Sequence, residues 1–109
     1  MIVQAYPEAD AAALRTWVDD LRASTGRFVA VASGAGDGPA LVVAASRDLV
    51  GEGFDAAAIA RQVAPLIGGG GGGRPELAQA GGRDGSRLPD ALAEAARLAL
   101  EALQPIESA

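Results

Sequence analysis

Cysteine, histidine and lysine are all absent from this chain of 109 residues. Without cysteine there is no disulfide, no thiolate metal site and no thiol nucleophile. Without histidine, the usual zinc ligand sets and imidazole acid–base catalysis are unavailable. Without lysine, Schiff-base chemistry is excluded. No metal and no cofactor is therefore expected, and no catalytic residue stands out. Aromatic residues make up only 4% of the chain. The core must be built from Ala, Val, Leu and Ile, and each alanine buries little area, so stability should be modest. No apolar run is long enough to cross a bilayer. The segment Met1–Tyr6 also lacks the basic start and long apolar centre of a signal peptide. A soluble, cytoplasmic protein with no membrane partner is expected.

All nine basic residues are arginine, against 14 acidic ones, for a net charge of −5. The excess of alanine, glycine and arginine fits a biased genome composition better than a demand for guanidinium groups. An acidic chain is a poor general nucleic-acid binder, because phosphate contacts supply most of the affinity. Any RNA contact must come from a local patch. The stretch from Arg74 to Arg87 is slightly basic, with Arg74, Arg83 and Arg87 against Glu76 and Asp84.

The length suits one domain, residues 1–109. Ile2–Tyr6 reads as a first strand. Leu14, Trp17, Val18 and Leu21 fall on one face of a helix over about 8–24, which places Trp17 in the core. Gly26 is its stop signal. The runs 27–33 and 40–46 flank a Gly/Asp/Pro turn and read as an antiparallel hairpin. Both runs are apolar on both faces, so helices should cover the sheet. Residues 47–54 read as a connection. Asp55 is placed to cap a helix carrying Ala58, Ile59, Val63, Leu66 and Ile67, which Pro65 kinks or ends. After the glycine run, 77–80 reads as a short strand and 81–86 as a loop. A last helix carries Leu88, Leu92, Ala95, Ala96, Ala99, Leu100 and Leu103 and stops before Pro105. The expectation is an α/β fold: a small mixed sheet covered by about three helices, in the order β-α-β-β-α-β-α.

Six consecutive glycines, Gly68–Gly73, dominate the middle of the chain. Gly68, Gly70 and Gly73 satisfy the dinucleotide fingerprint by letter, but any such run does, and this one follows a helix instead of a strand. Arg74-Pro75 stands where a phosphate-binding loop needs Lys-Ser or Lys-Thr. Two readings remain open for the run. It is a tight structural turn, or its free N–H groups form an anion site with Arg74 as a charged fork. Ordering each glycine costs on the order of 1–2 kcal/mol, which favours a used loop over an idle one. Pro75 stiffens the chain beyond Arg74. Gln79, between two alanines, is placed to hold the glycine loop in shape. Arg83 and Arg87 flank Asp84 and also read as ordinary solvated charges. Asp10, Asp19, Asp20 and Arg15 read as helix surface.

The glycines do not end as a linker would. They pass into Arg74-Pro75-Glu76-Leu77-Ala78-Gln79-Ala80-Gly81-Gly82. This segment resembles the signature of the DHHA1-type domain at the C-terminus of alanyl-tRNA synthetases: a glycine cluster, Arg-Pro, an acidic and an apolar residue, then Ala-Gln-Ala-Gly-Gly. The order of strands and helices before it also resembles that domain. The resemblance implies an accessory domain that binds tRNA, with tRNA-Ala and the other synthetase domains as partners and a homodimer in some cases. Together with the residue chemistry above, a tRNA-binding role puts the expected RNA-backbone site at Gly69, Gly70, Gly71, Gly72, Gly73, Arg74, Gln79, Arg83 and Arg87. The DHHA1 domain of DHH phosphoesterases carries a histidine after its glycine cluster. Arg74 stands there in this chain, which favours the synthetase type. A dimerisation or protein-interaction module with a structural glycine loop is one alternative, and a substrate-binding DHHA1 domain of a DHH phosphoesterase is another. The chain is too short for a catalytic core or an editing domain, so it is a piece of a longer protein or a free-standing relative. Alone, it is expected to show no adenylation, ligase or phosphodiesterase activity. Alanine-dependent pyrophosphate exchange or phosphodiester cleavage by the pure chain would contradict this.

Overall fold

The two valine-rich runs at the centre of the sequence become the middle of a five-stranded sheet. The computed structural model describes residues 1–107. Five strands, β1 (Ile2–Tyr6), β2 (Val29–Gly34), β3 (Ala40–Ala45), β4 (Gly70–Arg74) and β5 (Leu77–Gly81), lie in the order β1-β2-β3-β5-β4. β1 pairs with β2 in parallel, and every other pairing is antiparallel. The sheet is mixed, as expected, and β2–β3 is the expected hairpin, with Val31 opposite Val43.

Strand alternation divides the core in two. Leu14 and Val18 of α1 (Ala11–Ser24) cover one face, formed by Ala30, Ala32, Val42 and Ala44. On the other face Val29, Val31, Leu41, Val43, Ala78 and Ala80 meet three helices, α2 (Arg47–Gly51), α3 (Ala56–Val63) and α4 (Leu88–Glu107). The small alanines on the α1 side let that helix lie close to the strands. Asp10 caps α1 by accepting from the Ala13 N–H at 2.8 Å, which starts the helix three residues later than Glu8. The helix ends at an extended Thr25, one residue before Gly26. Trp17 is only partly buried, with its ring edge-on to Tyr6 at 5.6 Å.

Two elements exceed the expectation. The connection 47–54 contains the short helix α2, whose Leu49 is buried with the nearby Phe54. The glycine run is a strand instead of a loop. Asp55 caps α3 as expected, accepting from the Ala57 N–H at 3.0 Å. Pro65 ends that α-helix, and the chain continues as a 3-10 turn over Ala64–Ile67.

The last helix is also turned from its expected setting. Its buried stripe is Leu88, Ala91, Ala95, Ala99 and Leu103, while Leu100 is 53% exposed and Leu92 partly buried. Steps of three or four residues suit either set of positions. Alanines on the inner side let the helix approach the valines of β2, and this close approach outweighs the larger area of Leu100. The helix runs through Pro105 to Glu107, past its expected stop, although Pro105 has no N–H to bond the carbonyl four residues back. Leu100→Ala should therefore change stability by less than about 0.5 kcal/mol. Ala99→Leu should cost roughly 1–3 kcal/mol by overpacking. Urea melts of the two variants check this.

Candidate nucleic-acid interface

Strand alternation gives the glycines of β4 two different surroundings. Gly71 and Gly73 lie opposite Ala80 and Ala78, on the face that carries α3. A Cβ at Gly71 would stand 2.5 Å from the Ala60 carbonyl oxygen, so the strand backbone packs directly on the helix. Gly73 has φ +141°, a conformation that side chains disfavour. Gly70 and Gly72 lie opposite Gly81 and Gln79, on the other face. A Cβ at either would meet nothing within 4 Å. α1 covers β2 and β3 on that side, so β4 and the outer part of β5 keep a strip of open backbone. Gly69 precedes the strand, and its N–H donates to the Ala64 carbonyl at 3.2 Å. β4 is also an edge strand, with a neighbour on one side only.

The turn that ends the strand is anchored from several directions. The Pro75 carbonyl accepts from the Ala56 N–H at 3.0 Å, and the Glu76 carbonyl accepts from the Ala45 N–H at 3.1 Å. Arg22 of α1 donates to the Ala45 carbonyl at 3.1 Å and to the Glu76 carbonyl at 3.0 Å. Its guanidinium also lies 5.3 Å from the Phe28 ring centroid. Arg74 rises from this fixed turn with its side chain 75% exposed and its Nε 3.8 Å from the Glu76 carboxylate. An exposed pair at that distance holds Arg74 weakly, leaving the guanidinium free for another anion.

The candidate residues do not form one cluster. Arg74 lies opposite Leu77, whereas Arg83 follows Gly81 at the far end of β5. Four residues of strand separate the two ends, roughly 13 Å. Arg87 is farther along the chain, in a 3-10 turn (Gly85–Arg87), 3.6 Å from Asp90. Asp84, between Arg83 and Arg87, accepts from the Ser86 hydroxyl and N–H, which hold its carboxyl below the usual range. Its negative charge persists beside the two arginines. Gln79 is exposed, and its side chain does not hold the glycines. Its Oε1 instead accepts from Arg15 Nη1 at 2.8 Å.

Arg15, read from the sequence as helix surface with no part in binding, lies beside this strand. With Gly72, Gly73, Arg74, Leu77 and Gln79 it lines a shallow groove of about 220 Å³. Arg15 and Arg22 are seven residues apart, two helical turns, so they share a face of α1. That spacing was the available signal.

The DHHA1 domain model matches residues 1–101. The chain belongs to the DHHA1 domain family. The crystal structure of the C-Ala domain from Aquifex aeolicus alanyl-tRNA synthetase is similar to this DHHA1 domain. The two share 30% identity and a TM-score of 0.72, covering 94% of this chain and 89% of that one. An alanine–tRNA ligase of Pelotomaculum thermopropionicum is 49% identical over 89 residues, which is 81% of this chain and 10% of that protein. An alanine–tRNA ligase of Rhodopirellula baltica is 42% identical over 105 residues, 94% of this chain and 11% of the relative. The DHHA1 domain thus spans about a tenth of these curated relatives. Among its described residues no helix is long and apolar enough to cross a membrane.

The division of the glycine run has a direct readout. Gly71→Ala must push a methyl against the Ala60 carbonyl and should lower the melting temperature. Gly72→Ala has open space and should leave it unchanged or raise it, by up to about 1 kcal/mol of stability. Equal losses from both substitutions in thermal melts would refute the division.

Proposed function

We propose that this DHHA1 domain is the accessory tRNA-binding domain of an alanyl-tRNA synthetase, without catalytic activity of its own. In this reading it works in the cytoplasm, in aminoacylation for protein biosynthesis. Its partners are tRNA, with tRNA-Ala the expected species, and the other domains of the parent enzyme. The observation that carries the reading is the open face at Gly70 and Gly72. Packing explains why Gly71 lacks a side chain, but it makes no such demand at Gly70 or Gly72. An RNA backbone brought close to this strip would meet strand backbone without intervening side chains, beside a weakly held arginine, Arg74. Guanidinium groups suit phosphate because their N–H donors form a planar fork. Gln79 serves as a positioning residue at the rim. Arg83 and Arg87, at the other end of β5, are candidates for a second, separate contact along a longer RNA.

The net charge of −5 opposes binding at long range, so affinity for the isolated domain should be low and sensitive to salt. A tRNA titration over a salt series tests the reading. Each phosphate contact contributes about 0.7–0.9 to the slope of log affinity against log salt. Arg74→Ala should weaken binding and reduce the slope by about that amount. Binding by Arg74→Ala equal to that of the wild type at every salt concentration would remove Arg74 from the site.

The unpaired edge of β4 supports a second reading, a protein-interaction or homodimer module in which another extended chain pairs with the glycine strand. Sedimentation analysis separates the two readings. Concentration-dependent dimers lost on Gly70→Pro, with tRNA binding absent, would favour the second.

A further inference from the structure

We propose that Arg15 is a second phosphate-binding residue of this interface, held on Gln79 in the free domain and transferred to an RNA phosphate when a strand enters the groove. The inference rests on the RNA-binding reading and adds to it a residue and a path for the backbone.

Three observations carry it. The first is the partner of the guanidinium. Arg27, Arg74, Arg87 and Arg97 each lie within 4.0 Å of a carboxylate. Arg15 is held by the neutral amide oxygen of Gln79, at 2.8 Å and in an exposed position. Its positive charge is not cancelled by that bond. A phosphate oxygen is a stronger acceptor than an amide for a guanidinium, because it adds the attraction of opposite charges and can accept two parallel N–H bonds from the planar fork. An incoming phosphate can therefore take Arg15 from Gln79 with a gain in bond strength.

The second observation is placement. Gln79 lies opposite Gly72, and Leu77 lies opposite Arg74. The row holding the Arg15 head group and the row holding Arg74 are two strand residues apart, roughly 7 Å. Both arginines line the same shallow groove. Successive phosphates along one RNA strand repeat on this scale, so the two guanidinium groups can serve neighbouring phosphates of a single strand.

The third is the surface between them. Gly72 lies in this interval, and a Cβ there would meet only open space. Nothing projects from β4 to hold an RNA strand away from the two arginines. The strand would run along the β4–β5 hairpin, entering beside α1 at Arg15 and leaving past the Pro75-Glu76 turn.

Arg15 also ties α1 to β5, and a purely structural role would weaken binding on its removal by loosening the hairpin alone. The salt slope and a Gln79 variant separate these roles. Titrations of the chain with tRNA-Ala transcript over a salt series would use Arg15→Ala, Gln79→Ala, Arg74→Ala and Arg97→Ala, each checked for an unchanged thermal melt. Arg15→Ala should weaken binding roughly tenfold, the scale of one charged hydrogen bond, and lower the slope by about 0.7–0.9. Gln79→Ala removes the same bond but leaves the charge, so it should keep the full slope. Arg97→Ala, on the opposite side of the sheet, should behave as the wild type. An unchanged slope for Arg15→Ala overturns the proposal, and so does a Gln79→Ala slope reduced as much as that of Arg15→Ala. If Arg74→Ala still flattens the slope in either case, the RNA-binding reading survives without Arg15. Absence of salt-dependent binding by the wild type removes both.

Discussion

The contact between the backbone of β4 and α3 constrains everything built around it. At Gly71 the strand lies against the Ala60 carbonyl with no side chain between them. That approach places α3 over the outer end of the sheet and lets Ala60, Val63 and Ala64 join the core. It also fixes which glycines face inward. Because strand side chains alternate, packing Gly71 on α3 necessarily turns Gly70 and Gly72 to the far side. α1 does not reach them there. The open strip is thus a geometric result of how the opposite face packs. The anchored turn follows from the same arrangement: the strand must end where Pro75 and Glu76 meet the starts of α3 and the end of β3.

Much of this architecture was legible in the residues. The β2–β3 hairpin announced itself through two apolar runs around a Gly/Asp/Pro turn, and the Asp55 cap through its place before an apolar stripe. The DHHA1 signature at 68–82 led directly to the family. β4 was not legible as a strand. Glycine has low strand propensity and gives no alternation of side chains to read. Its pairing is supplied by β5, across the tight Pro75-Glu76 turn, and its packing by Ala60 of α3, so both come from outside the strand's own residues. The setting of α4 was misread for a related reason. Periodicity defines a stripe, but the stripes through Leu100 and through Ala99 differ by a single position. The choice depends on how closely the helix approaches β2, which is a tertiary property.

The candidate site was legible in part. Arg74 and the glycines were marked by the motif. The division of those glycines into packed and open sets required the sheet register. Arg83 and Arg87 were grouped with Arg74 because they are near in sequence, yet a five-residue strand carries the chain from one end of the hairpin to the other. Arg15 was overlooked for the converse reason. It is 64 residues from Gln79, and on a helix studded with charges it looked like any solvated arginine.

Arg22 has a consequence for how the domain comes apart. A two-stranded hairpin at the end of a sheet is ordinarily among the first segments to open, because half of it has no neighbour. Here one half-buried guanidinium joins the last turn of α1, the end of β3 and the turn of that hairpin, with Phe28 beneath it. Detaching the hairpin would strand those donors and uncover the ring. Local opening is thereby tied to loss of α1, so the outer strands should exchange their amide hydrogens together with the centre of the sheet and the domain should melt as one cooperative unit.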